Sequence, residues 1–213
     1  MVKILFSLFY YEIIKINNPK NLWNPLAFLL TSFSLLLVSF EPSKVIALQN
    51  FNLFWIIFLF IVNLNFSLFL KDDYEDGTID LIRLSPISFE WILIIKFLGH
   101  WIRLIGPLFL FLIIIGFVVG TSFENSVQFL LCLLMSSLFL CAVTAFISML
   151  SLGGKISSYI SPLLSLPLNI PLLIINNMNM SFILKISFLG GFLSFIFPLF
   201  LLAKKCILEL KNP

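Results

Sequence analysis

The sequence predicts an all-α, polytopic integral membrane protein with six transmembrane helices, an interfacial helix at the N-terminus and a short helix in one cytosolic loop. Three observations predict it. Hydrophobic residues fill 61% of the 213 positions and charged residues 11%, with a mean hydropathy of +1.13, against roughly 45–50% and about 25% in soluble domains. Six runs approach the ~20 apolar residues that a bilayer-crossing helix needs. Five of the ten acidic residues are gathered between Asp72 and Asp80. Too few polar residues remain to cover a soluble helical core, so that class is excluded. The chain reads as one transmembrane domain, 1–213.

The N-terminal stretch Met1–Asn18 places Lys3, Ser7, Tyr11 and Lys15 at four-residue intervals, with Ile4, Leu5, Leu8, Phe9, Ile13 and Ile16 between them. That pattern suits a helix lying in the membrane interface; a plain cytosolic tail is the alternative. The expected spans are Leu22–Phe40, Phe51–Leu70, Trp101–Gly120, Ser126–Leu150, Ser157–Asn176 and Phe182–Ala203. Between the second and third lies an apolar run, "ISFEWILIIKFLGHW", broken by Glu90 and Lys96. It is too interrupted for a seventh span and reads either as interfacial or as an N-terminal extension of span three.

The distribution of cations sets the orientation. With both termini on the cytosolic or matrix side, Lys3, Lys15, Lys20, Lys71, Arg83, Lys96, Arg103, Lys155, Lys204, Lys205 and Lys211 lie inside, and only Lys44 and Lys185 outside. The acidic cluster then faces the same inner side. An Asp at the bilayer centre would cost about 2.5–3.5 kcal/mol, so the cluster stays out of the hydrocarbon.

Three readings of "KDDYEDGTIDLIRLSP" (Lys71–Pro86) compete. A solvated loop is the plainest. Against it, Asp72 and Glu75 have capping-box spacing, Ile79, Leu81, Ile82 and Leu84 supply apolar side chains, and Ser85-Pro86 ends the segment. Gly77 costs about 1 kcal/mol relative to Ala within a helix, which favours a bend there. In the second reading, Asp72, Asp73, Asp76 and Asp80 fit D-D-x-x-D-x-x-x-D, resembling the Mg–diphosphate motif of membrane prenyltransferases. That fold needs a facing acidic cluster, whereas Glu12, Glu41, Glu90, Glu124 and Glu209 are mutually isolated, and six spans are too few for it. The third reading is a coupling helix that docks a transporter's membrane subunit on an ATPase.

The third reading becomes specific through three motifs in order: "KDDYEDGTIDLIRLSP", then "KFLGHW" (Lys96–Trp101), then "LPLNIPLLI" (Leu166–Ile174). Together they resemble CcmB, the permease family of the cytochrome c maturation ABC transporter, over nearly the whole chain. The resemblance implies a non-catalytic permease subunit, with ATP bound and hydrolysed by a separate ATPase, CcmA. It also implies CcmC and the small CcmD in the same complex, and the haem chaperone CcmE as client. Haem is then the pathway substrate, and the compartment is a bacterial cytoplasmic or mitochondrial inner membrane. Six spans make half a transporter, so a homodimer with two ATPases is the natural assembly. An ABC permease for a lipid or drug is the alternative within transport.

On this reading the ATPase-coupling residues are Asp72, Asp73, Asp76, Gly77, Asp80, Leu81, Leu84 and Pro86, the carboxylates pairing with basic ATPase residues and the leucines with Ile82 anchoring. The chain itself carries no phosphate-binding loop: Gly153-Gly154-Lys155-Ile156 lacks the upstream Gly and the Ser or Thr after Lys. Pro162, Pro167 and Pro171 each remove a hydrogen bond from span five, and Ser161, Ser165 and Asn169 are placed to satisfy freed carbonyls. Pro167, Asn169 and Pro171 are therefore candidates to line a cavity or interface, with a kink packed against neighbours the alternative. His100, the only histidine, joins them as a candidate haem ligand, although its place beside Trp101 and Arg103 also suits interfacial anchoring. Asn63 and Asn65 read as hydrogen-bond partners between helices. Cys132, Cys141 and Cys206 form no disulfide framework or metal spacing; nine residues put the first two on opposite helix faces, filling space between helices or facing lipid. No catalytic or metal site is expected.

Overall fold

The computed structural model describes residues 7–10, 12, 27–32, 34–35, 51–66, 69–85, 87–119, 123–152, 160–178 and 180–209. All regular structure among them is helical: α1 (Phe51–Phe66), α2 (Lys71–Glu75), α3 (Thr78–Arg83), α4 (Phe89–Val119), α5 (Phe123–Ser151), α6 (Ser161–Asn177), α7 (Phe182–Ser194) and α8 (Ile196–Glu209). Helical turns at 7–10 and 27–32 precede them, and Leu29 joins the buried core. Most of the first expected span and of the expected N-terminal interfacial helix, with Pro86, Gly153–Ile156 and both chain ends, lie outside the described residues.

Among the described residues, four segments are long and apolar enough to cross a membrane: Phe54–Glu75, Phe89–Leu110, Val127–Ser151 and Phe182–Leu202. The run broken by Glu90 and Lys96 is the N-terminal part of one 31-residue helix, α4. At 1.5 Å per residue it extends about 46 Å, more than the ~30 Å bilayer core. Span three thus starts twelve residues before its expected first residue, Trp101. By the same rise the 17 residues of α6 reach only about 25 Å. The last expected span keeps its length as Phe182–Leu202 but is interrupted by one turn residue: α7 closes at Phe195, whose N–H bonds the Phe192 carbonyl at 3.1 Å, and α8 begins at Ile196. Pro198 has no N–H to return to Ser194, which weakens the ladder at that point.

Helix α5 is the centre of the bundle, packed against α1, α4, α6, α7 and α8. Its small residues, Ala142, Ala145, Ser136, Ser137 and Ser148, are buried together with Leu133, Leu140 and Met149. Lipid is as apolar as Leu, so helices in a membrane associate through close packing and polar contacts, and small residues permit the close approach. Both faces of α5 are covered, which is why Cys132 and Cys141 are buried between helices despite pointing oppositely. Rings fill the wider gaps: Phe54, Trp55, Phe58 and Phe129 meet in one cluster, and Phe66, Phe69, Phe97, His100 and Phe200 in another.

Candidate functional site

The acidic segment folds as two short helices set off by two left-handed residues. Leu70 (φ 61°) ends the run of α1, and Gly77 (φ 72°) separates α2 from α3. A non-Gly residue in this conformation gives up about 1–2 kcal/mol, so Leu70 is held there by its burial in the core. At Gly77 space is open and the dihedral alone demands glycine; the bend expected at that residue is present. The expected capping box is not. Helix α2 begins at Lys71, with Leu70 at its cap and no side-chain cap bond. Asp72 therefore lies inside the first turn, where its carboxylate meets the helix dipole instead of closing a box with Glu75.

The two helices sort their side chains by destination. Asp72, Glu75 and Asp76 are exposed, and Lys71 reaches Glu75 at 3.8 Å. Asp80 is half-buried and Ile79 is in the core. Leu81 and Leu84 are 70% and 84% exposed, while Ile82 packs inward. The apolar side chains of α3 thus divide between a root in the bundle and a projecting tip.

Asp73 turns the other way. Its Oδ2 accepts a hydrogen bond from Lys96 Nζ at 2.9 Å, and the same ammonium donates to Glu12 Oε1 at 2.8 Å. The Lys96 side chain is 9% exposed and each carboxylate partner 15%. Three segments far apart in sequence, the N-terminal helical turn, α2 and α4, meet on one cation. Gly99 lies one turn along α4, and a Cβ there would stand 3.0 Å from that of Glu12. Lys96 and Glu12 were unpaired charges in the sequence; the pattern K-x-x-G inside an apolar helix is the one local trace of their meeting.

Further along the same face, Arg103 donates to His100 Nδ1 at 2.7 Å, and the ring also hydrogen-bonds the Asn65 backbone. Phe66 stands edge-on to the ring, 4.6 Å away, with Phe69 beyond it at 5.8 Å. In this conformation His100 is engaged through both of these contacts and flanked by the two phenylalanine rings. Trp101 donates to Ser137 of α5 at 3.1 Å, which fastens α4 to the central helix.

A second polar cluster, uncharged, lies where α1, α5 and α6 meet. Asn63 Oδ1 accepts from Thr144 Oγ1 at 3.4 Å and from Ser165 Oγ. The interhelical role expected of Asn63 is present, whereas the Asn65 amide donates to the Ile61 carbonyl of its own helix. Asn176 and Ser136 pair between α6 and α5 at 2.9 Å. Helix α6 turns Ser161, Ser165, Asn169 and Asn176 inward and leaves Pro167 and Pro171 exposed. Among the described residues, the expected repair of the carbonyls freed by Pro167 and Pro171 is not seen, and the one freed by Pro162, at Ser158, lies outside them. Ser165 bonds the Pro162 carbonyl, and Ser161 Oγ and both amide atoms of Asn169 have no hydrogen-bond partner among the described residues. Spacing explains it: the inward residues recur every four positions on the face away from the prolines, whose freed carbonyls point with them.

Among the described residues, no group of three or more His, Cys, Asp or Glu side chains could hold a metal ion. The D-D-x-x-D-x-x-x-D spacing does not converge, since Asp73 is taken inward by Lys96 while Asp72 and Asp76 face out.

Comparison with known proteins finds relatives by sequence. Heme exporter protein B of Rhodobacter capsulatus is 33% identical over 102 residues, which span 48% of this chain and 47% of that protein. Heme exporter protein B of Pseudomonas aeruginosa is 29% identical over 166 residues, 75% of this chain and 72% of that protein. The chain thus aligns with about half the length of the first relative and nearly three-quarters of the second. The sequence profile described as CcmB protein matches residues 3–203 and so takes in the N-terminal turn, the acidic segment, α4 and the uncharged cluster alike. The chain belongs to the CcmB protein family.

Proposed function

We propose that this chain is the membrane subunit of an ABC-type haem exporter, the permease through which a separate ATPase drives haem delivery during c-type cytochrome biogenesis. Family membership and the heme exporter names of its relatives support this reading. One structural observation carries it: α3 presents Leu81 and Leu84 outward beside the exposed acids Asp72, Glu75 and Asp76, while Ile79 and Asp73 root the segment in the bundle. An apolar tip within an acidic rim suits a basic-edged cleft on a partner, the apolar contact giving affinity and the charges register. Asp80, Gly77 and Pro86 would shape the segment, and α2–α3 would act as a lever.

On this proposal the chain crosses the membrane six times with both termini on the inner side. It pairs with a second copy and a CcmA-type ATPase, and it works with CcmC, CcmD and the haem chaperone CcmE in a bacterial or mitochondrial inner membrane. ATP hydrolysis belongs to the partner, and the motion it drives either exports haem or releases the loaded chaperone. The test is capture of the ATPase by the tagged chain in mild detergent. Wild type retains the ATPase, and Leu81→Asp/Leu84→Asp loses it. Equal capture by both, or by neither, overturns the proposal.

A further inference from the structure

We infer that the Lys96–Gly99–Arg103 face of α4 is a transmission joint, through which movement of the α2–α3 lever passes to a membrane-crossing helix and to the N-terminal helix at once. The inference rests on the lever described above and names the residue on which the lever acts.

The geometry has three parts. First, Lys96 is shared. Its ammonium holds Glu12 at 2.8 Å and Asp73 at 2.9 Å, so the lever and the N-terminal turn are each bonded to α4 through one atom. A Lys ammonium has three donors, enough to hold both carboxylates together. Second, the joint is close-packed. Gly99 follows Lys96 by three positions, on the same side of the helix, and Glu12 approaches the site of its missing Cβ to 3.0 Å, so that a side chain there would have to push Glu12 aside. Arg103, another turn along, lies within the electrostatic reach of Glu12 and Asp72 and bonds His100. The second cation offsets the excess negative charge of one lysine between two carboxylates.

Third, the lever has defined ends. The left-handed residues Leu70 and Gly77 bracket Asp73, so α2 is a short rigid piece between two bends. A force applied at the exposed tip turns α2 about those bends. Asp73 is where α2 grips a helix that crosses the membrane. In a poorly hydrated setting, separating opposite charges is far more costly than sliding apolar surfaces past each other, so the pair transmits pull as well as push. The carboxylates of this segment therefore have different tasks: Asp72 and Asp76 face a partner, and Asp73 faces Lys96. Lys96 is a positioning residue, acting on transport through the helix that carries it.

The experiment uses the full complex with its ATPase in membranes and reads ATPase capture, ATP hydrolysis and haem-loaded chaperone formed per ATP. Lys96→Met is expected to keep the ATPase bound and hydrolysing, with product per ATP falling about tenfold, within the usual range of coupling between sites. Lys96→Arg, which restores a cation able to hold both carboxylates, is expected to recover most of that loss. A purely structural role would lower the amount of complex and leave the ratio untouched. Gly99→Val keeps every charge but displaces Glu12, and is expected to lower the ratio to a smaller extent. It carries the test if Lys96→Met does not fold. Unchanged product per ATP in Lys96→Met, or in Gly99→Val where that variant carries the test, overturns the joint and leaves the lever standing. So does loss of ATPase capture in Lys96→Met while wild type captures it. Failure of wild type to capture the ATPase brings down the lever itself.

Discussion

At the N-terminal end of α4, Lys96 holds two carboxylates from distant segments; deeper in the bundle, Asn63, Thr144 and Ser165 meet without charge. The two clusters differ in what each member can fall back on. In the uncharged cluster the two hydroxyls that reach Asn63 each have an alternative acceptor on their own helix, Thr144 the Leu140 carbonyl at 2.8 Å and Ser165 that of Pro162 at 2.8 Å, and the Asn63 amide donates to the Leu59 carbonyl at 2.9 Å. Helices joined in this way can shift at lower cost, because the hydroxyls of Thr144 and Ser165 keep a partner and only the Asn63 carbonyl oxygen gives up its own. The charged joint has no such reserve on Lys96: the ammonium bonds across to other segments, and moving one of them away strands charge. The difference teaches where position is enforced and where only fit is required. Helix α4 is fixed to α2 by charge, while α6 rests on uncharged contacts that bind it less tightly.

The comparison can be broken most sharply at Lys96. Replacing it with Glu puts three carboxylates together, with an expected loss of about 3–5 kcal/mol. It would appear as a lower midpoint in heat or SDS unfolding of the micelle-bound protein. A midpoint equal to wild type would make the joint an ordinary solvated pair. Gly99→Val comes next: crowding against Glu12 is expected to cost about 1–3 kcal/mol in the same assay. Gly77→Ala tests the bend alone, and a Cβ at φ 72° is expected to cost about 1–2 kcal/mol.

The uncharged cluster predicts the opposite sign. Asn169 is fully buried with both amide atoms unpartnered, so Asn169→Leu should raise the midpoint by an amount equivalent to about 1 kcal/mol or more. A lowered midpoint would show that the amide is satisfied in the membrane and that the cluster has less slack than its geometry gives it. The smallest effect belongs to Glu75→Ala. Its exposed pair with Lys71 contributes no more than about 0.5 kcal/mol, and a larger change would place Glu75 in a contact of its own.

The apolar runs were legible because lipid imposes length and composition directly. Phe51–Phe66 and Phe123–Ser151 fall close to their expected positions for that reason. The start of α4 was not, since Glu90 and Lys96 read locally as charges that end a span. What neutralises Lys96 lies 84 and 23 residues away in sequence, and no local pattern records it. The bend at Gly77 was legible from one residue's chemistry, whereas the left-handed turn at Leu70 runs against what leucine prefers and is imposed by the packing around it. The acidic segment was recognised as a unit, but its division into Asp73 inward and Asp72 and Asp76 outward follows from where the chain turns. In α6 the prolines drew attention to the exposed face, while the polar residues with structural work are on the other.

The meeting of Glu12, Asp73 and Lys96 also bears on how the chain is made. Synthesis runs from the N-terminus, so both carboxylates exist before the lysine that joins them leaves the ribosome. A lysine entering hydrocarbon alone would cost up to about 2.5–3.5 kcal/mol at the centre of a helix and less near its end, where Lys96 stands in α4. With Glu12 and Asp73 already at the membrane, the lysine meets its counter-ions on arrival and need not enter as an isolated charge. The order of the three residues along the chain then matters: a circular permutation that moved residue 12 behind α4 is expected to impair insertion of α4.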